Sequence, residues 1–127
     1  MSKRDGVVTK SNRIFVFGSN LAGRHGAGSA LEAVKSHGAR YGQGTGIQGR
    51  SYAIPTKDVR LRQMPLDQIK SHVDWFLHLA RTAYPFYEFD VVAIGCGLAG
   101  YKPEQIGPMF KGASNNVHLP PEFEQYR

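Results

Sequence analysis

The chain has 127 residues, of which 41% are hydrophobic and 20% charged; this suits one globular domain and excludes a disordered or fibrous chain. A single cysteine, Cys96, excludes an internal disulfide and a four-cysteine zinc site, and no run approaches the roughly 20 apolar residues that span a bilayer. The formal charge of +6 favours anionic partners, but the cations are scattered rather than gathered into a block, which weakens the case for a dedicated nucleic-acid surface.

Residues 1–12 read as a basic leader, with Lys3, Arg4 and Lys10 in polar sequence rather than the apolar core of a signal peptide. A cytoplasmic protein with no membrane partner is expected. Arg13-Ile14-Phe15-Val16-Phe17 is a nearly continuous apolar run, the pattern of a strand covered on both faces. A glycine-rich stretch from Gly18 to Gly28 follows. Residues 28–37 then read as a helix, with Gly38 as its stop.

A second cluster, Gly42, Gly44, Gly46 and Gly49, precedes the strand Ser51–Ile54, which Pro55 is expected to end. Because it comes before a strand, it is expected on the opposite side of the sheet from the first cluster, or on a flap. Pro65 is tolerated at a helix start, and Leu66, Ile69, Val73, Phe76, Leu77 and Ala80 recur with helical period after it. Phe89–Ile94 reads as a third strand, followed by the third cluster, Gly95, Gly97 and Gly100. A short helix opens at Pro103 and should break near Pro108, and Val117-His118-Leu119 reads as a closing strand. Strands alternating with helices imply an α/β fold with a mostly parallel sheet, whose ligands bind at the carboxyl ends of the strands. The first and third clusters each follow a strand and precede a helix, so both belong on that rim.

Gly18-Ser19-Asn20-Leu21-Ala22-Gly23-Arg24-His25-Gly26-Ala27-Gly28 joins a buried strand to a helix. Backbone amides in such a loop, with the positive end of the helix dipole, suit a phosphate or diphosphate. Candidate ligand-binding residues here are Gly18, Ser19, Asn20, His25, Gly26, Ala27 and Gly28. Gly95-Cys96-Gly97-Leu98-Ala99-Gly100 satisfies G-x-G-x-x-G after a strand, and with Tyr101 supplies the second group of candidates. Glu122 stands where a Rossmann fingerprint would place its acid, but the sequence after it holds no second half of a dinucleotide sheet, so hydride transfer on NAD is not expected. The five histidines show no metal-ligand spacing, and no metal or cofactor is expected. Cys96 reads either as a nucleophile activated by loop amides or as a small residue filling a tight turn. Lys57 and Asp58 follow the second strand onto the same rim, where a lysine can hold an anion or attack a sugar carbon and an aspartate can activate water. The alternative for that pair is a solvated turn.

The early apolar strand, the Asn20-containing loop ending Gly26-Ala27-Gly28, Thr56-Lys57, and Ile94-Gly95-Cys96-Gly97-Leu98-Ala99-Gly100 together resemble the macro domain, the ADP-ribose-binding family. Over about residues 14–112 they are most similar to the branch that removes terminal ADP-ribose from proteins and nucleic acids. The resemblance implies a three-layer fold with a mixed or mostly parallel central sheet between helices, spanning residues 1–127 as one domain. It implies that Asn20, Gly26 and Gly28 line the pocket for the distal ribose and diphosphate, and that Gly95, Gly97 and Leu98 form a second diphosphate loop. Lys57 stands where that branch places a lysine that attacks the sugar. Two positions depart from the pattern. Ala99 replaces the acid that partners the lysine, which leaves Asp58 as the nearest substitute in sequence, and the short leader implies that the strands carrying an adenine-reading aspartate are reduced or missing. The expected function is binding of ADP-ribose or a related nucleotide derivative, with hydrolysis of an ADP-ribosyl linkage through Lys57 and Asp58. The alternatives are a non-catalytic binding module of the same fold and a nucleic-acid-associated protein.

Overall fold

A computed structural model describes residues 12–127; the leader expected over residues 1–12 lies outside them, apart from Asn12. The described chain runs β1 (Arg13–Asn20), α1 (Gly28–Ser36), β2 (Gly46–Gln48), β3 (Ser51–Lys57), α2 (Leu66–Thr82), β4 (Glu88–Val91), α3 (Pro103–Ile106), a 3₁₀ turn (Gly107–Phe110), β5 (Val117–His118) and α4 (Pro121–Glu124). The five strands form one mixed sheet in the order β2-β3-β1-β4-β5. β3 and β4 lie parallel to β1 on either side of it, β5 is parallel to β4, and β2 runs antiparallel to β3.

The central position of β1 explains its composition. Side chains alternate across a strand, and both faces of β1 are covered. Ile14 and Val16 join Ile54, Phe89 and the apolar stripe of α2, namely Ile69, Val73, Phe76 and Ala80. Phe15 and Phe17 point the other way, into a smaller core with Ala30 and Ala33 of α1 and Ala53 of β3. Helices therefore cover both faces of the sheet, and the fold is α/β. The two helix layers differ in bulk. α1 approaches on alanines, while α2 packs on aromatic and branched residues, with Phe76 between Tyr52 and Phe89 at ring separations of 5.0 and 5.2 Å.

Two strand ends differ from the sequence reading. β3 continues through Pro55 to Lys57, because β2 pairs only as far as Ala53 and one edge of β3 is then free of the ladder that a proline would interrupt. A register shift in β1 between Ser19 and Asn20 accommodates the change, so that Asn20 pairs with Lys57. β4 stops at Val91, and residues 92–94 curl away through a bond from the Ile94 amide to the Val92 carbonyl. The short β2 and α4 were not expected. Each holds only three or four residues, too few to show a period. Trp75 is exposed on α2 and stacks on His78 at 5.3 Å. No helix among the described residues is long and apolar enough to cross a membrane.

Candidate functional site

The carboxyl ends of β1, β3 and β4 open into a cleft of about 690 Å³. Its back is the N-terminus of α1. Gly28 there has φ +59°, a left-handed conformation that favours glycine, and Ala27 at the N-cap offers no side-chain bond to the first turn. The first amide of the helix to find an acceptor is that of Leu31, on the Ala27 carbonyl. The amides of Gly28, Ser29 and Ala30 are left at the cleft, where the helix dipole places partial positive charge.

The opposing wall is the loop after β4. Gly95 turns it with φ +75°, and a methyl group there would press on Ile106 at 3.1 Å. The loop is tied down by bonds from the Tyr101 amide to the Gly95 carbonyl and from the Tyr101 hydroxyl to the Met64 carbonyl. Gln63 also donates to the Ala99 carbonyl at 2.8 Å. None of these ties uses the amides of Gly97, Leu98 or Ala99, which find no acceptor among the described residues. Leu98 is 68% exposed, and its Cδ1 lies 3.5 Å from where a Cβ on Gly28 would sit, so the two loops meet over the cleft.

Gly18, Ser19, Asn20, Gly26, Ala27, Gly28, Lys57, Gly95, Gly97, Leu98 and Ala99 all line this cleft, so most of the sequence candidates converge on one space. Asp58, His25, Cys96, Gly100 and Tyr101 are not part of its lining. Asp58 closes a turn. Its Oδ1 accepts the amides of Arg60 and Arg62 at 2.8 and 2.9 Å, and these bonds, led by that from Arg62, hold its carboxyl below the usual carboxylate range. His25 is 1% exposed, stands edge-on to Phe17 and donates from Nε2 to the Gln43 carbonyl, so it supports the first loop from beneath. Burial pushes the Cys96 thiol up, with Glu122 and Glu104 acting in the same direction; a neutral thiol is a poor nucleophile, which favours the turn-filling reading. Gly100 and Tyr101 anchor the third loop.

The Asn20 side chain also builds the loop. It donates to the Arg24 carbonyl and accepts the Arg24 amide, both at 2.9 Å. Arg24 and Lys57 are the charged residues among the described lining, and no carboxylate joins them. The second glycine cluster divides. The segment at Gly42 and Gly44 reaches the rim, with the Gly42 amide on the Gly23 carbonyl at 2.7 Å and the Ser19 hydroxyl on the Gly44 carbonyl. Gly49 instead packs on Gly38 at the end of α1. The sequence reading placed the whole cluster away from the first or on a flap; the antiparallel β2, too short to read, returns Gly42 and Gly44 to the first loop. Thr56, quoted above with Lys57, lines the cleft as well, and Tyr41, Leu61 and Val92 also line it without having been singled out.

Among the described residues no group of three or more His, Cys, Asp or Glu side chains is placed to hold a metal. Comparisons with protein-family models, with curated proteins and with solved structures returned no significant match.

Proposed function

We propose that this chain is a macro-like domain that binds ADP-ribose or a related nucleotide derivative, with its phosphates between the two glycine loops. The observation that carries the reading is the confrontation of two sets of free amides, Gly28 to Ala30 at the start of α1 and Gly97 to Ala99 across the cleft. Such a cradle satisfies phosphate oxygens from both sides. Arg24 and Lys57 add positive charge without an opposing carboxylate in the described lining.

Binding without turnover is the better-supported form of this reading, since the acid expected beside Lys57 is engaged elsewhere: Asp58 is bonded into its own turn. Hydrolysis of an ADP-ribosyl linkage is the second form. It is favoured by the place of Lys57, which lines the cleft in register with Asn20. Calorimetric titration with ADP-ribose, AMP and pyrophosphate tests the cradle, and single-turnover assays on ADP-ribosylated protein and DNA test hydrolysis. Affinity should vary gently with salt, whereas contacts to a nucleic-acid backbone would weaken steeply. Failure of all three ligands to bind at millimolar concentration would refute the reading.

A further inference from the structure

A second concavity shares no lining residue with the cleft. α2 packs over β1 and β3, the edge strand β2 extends the sheet beyond them, and a pocket of about 250 Å³ is left between β2 and the helix. Aromatic side chains dominate it: Tyr52 from β3, His72 and Trp75 from α2, and Tyr84 from the segment after α2, with Thr45 and Ile47 on the β2 side. Trp75 is 57% exposed, and stacking on His78 at 5.3 Å holds its indole at the pocket. Tyr52 is only 4% exposed, its ring tilted against Phe76 at 5.0 Å. Its hydroxyl makes no hydrogen bond with the described residues, and a buried hydroxyl left without a partner is costly. Burial, with Tyr84 acting in the same direction, pushes this phenol up to about 12, so it stays neutral. Burial also lowers the pKa of His72, which favours the uncharged imidazole.

These features discriminate by charge. Indole and phenol rings present electron-rich faces, a neutral phenol oxygen offers lone pairs, and no Lys, Arg, Asp or Glu belongs to the described lining. An anion would meet ring faces of its own sign, and a hydrocarbon would leave the Tyr52 hydroxyl unpaired. A cation that carries an N–H satisfies both, with its charge against the rings and its proton on the phenol oxygen. The volume, against about 690 Å³ for the cleft, suits a head group rather than a nucleotide. We propose that this pocket binds a small alkylammonium group, free or carried on a lysine side chain of a peptide, with its charge on the Trp75 and Tyr84 rings and its N–H on the Tyr52 hydroxyl oxygen. The site is independent of the phosphate reading above.

The chain has one tryptophan, so its indole N–H resonance reports on this pocket alone. Protonated N,N-dimethylethanolamine is titrated beside 3-methyl-1-butanol, its uncharged carbon isostere, and choline, which keeps the charge without the N–H. The amine should move the indole resonance saturably and bind at least about fivefold more tightly than the alcohol, within the worth of a partly desolvated cation–π contact. Tyr52→Phe, which removes only the hydroxyl, should weaken the amine about threefold or more, as loss of one hydrogen bond would, and leave choline unchanged. Trp75→Leu, followed on the backbone amide resonances of β2, should remove the preference for amine over alcohol. A dimethyl-lysine peptide that binds more tightly than the free amine identifies a peptide-borne group, and equal affinity identifies a free one. Equal binding of amine and alcohol by wild type overturns the assignment, as does a preference that survives Trp75→Leu, an amine unaffected by Tyr52→Phe, or an indole resonance that none of the three compounds moves at millimolar concentration.

Discussion

Replacing Gly23 by alanine tests whether the first loop and the Gly42 segment form one rigid wall. Gly23 has φ +72°, and a Cβ built there would lie 2.3 Å from the Gly42 carbonyl carbon and 2.6 Å from its oxygen. Both contacts are with backbone, so no flexible side chain can give way. The left-handed conformation alone costs an alanine roughly 1–2 kcal/mol. Forcing the segments apart also sacrifices the bond from the Gly42 amide to the Gly23 carbonyl, worth about 0.5–1.5 kcal/mol. The expected loss is about 1.5–3.5 kcal/mol, read as a shifted midpoint in urea denaturation at unchanged slope. Gly26→Ala, three residues along the same loop, is the control: Gly26 carries no positive φ and its Cβ would meet nothing within 4 Å, so its change should stay within about 0.5 kcal/mol. If Gly23→Ala matches this control, the two segments do not form one rigid wall.

Phe76→Ala, which empties a fully buried site between Tyr52 and Phe89, should cost about 3–5 kcal/mol in chemical denaturation, and the folded fraction should keep its AMP affinity, since Phe76 lies away from the cleft. Asp58→Asn retains the oxygen that accepts the Arg60 and Arg62 amides, so ADP-ribose affinity should stay within about twofold of wild type; a larger loss would give the Asp58 charge a role at the ligand. Because bonding lowers the folded pKa of Asp58, its stabilising contribution should be complete above the ordinary carboxylate pKa and fade as pH falls through the lowered value, a dependence that Asp58→Asn should remove from acid-denaturation curves. Cys96, raised by burial, should react with iodoacetamide at pH 8 more slowly than an unfolded-chain thiol, and reaction at the unfolded rate would contradict that burial. Titration of ADP-ribose in EDTA should match titration without it, and loss of binding on chelation would reveal a metal.

What could be read from the sequence depended on element length. The 17-residue α2 carries five buried apolar residues at helical period, and β1 shows as an apolar run because both its faces are covered. β2, with three residues, has no period to detect, yet its reversal returns Gly42 and Gly44 to the first loop. The end of β3 was misjudged at Pro55 for a related reason: whether a proline ends a strand depends on which edge is paired, and pairing is not local information. In the site, glycine spacing marked both amide-bearing loops. The polar side chains were harder to assign. His25 and Asp58 sit among loop glycines and beside Lys57 in sequence, and only the hydrogen bonds reveal that each holds backbone in place. Tyr41 gave no signal, because one aromatic residue between Arg40 and Gly42 looks the same whether it faces the cleft or bulk solvent.

The division of labour among these residues bears on the choice between binding and turnover. The polar side chains around the first loop are mostly spent on its shape: Asn20 on Arg24, Ser19 on Gly44, His25 on Gln43 and Asp58 on its own turn. What faces the cleft unengaged is backbone amide from two loops, the cations Arg24 and Lys57, and apolar surface from Tyr41, Leu61 and Leu98. Amides and cations stabilise an anion equally in a ground state and in a transition state whose charge lies on the same phosphates, and uniform binding of that kind tightens the complex without speeding a reaction. Turnover needs a group whose charge or proton changes at the sugar. Lys57 is the one ionisable side chain in the described lining that is placed beside Asn20 and able to do this. Introducing an acid opposite it, as in Ala99→Asp, should therefore create or raise hydrolysis in a single-turnover assay while ADP-ribose affinity falls through repulsion between carboxylate and phosphate. Wild-type activity unaffected by Lys57→Ala would place the chemistry elsewhere. An Ala99→Asp variant that binds weakly and turns nothing over would show that the cleft is built to hold its ligand.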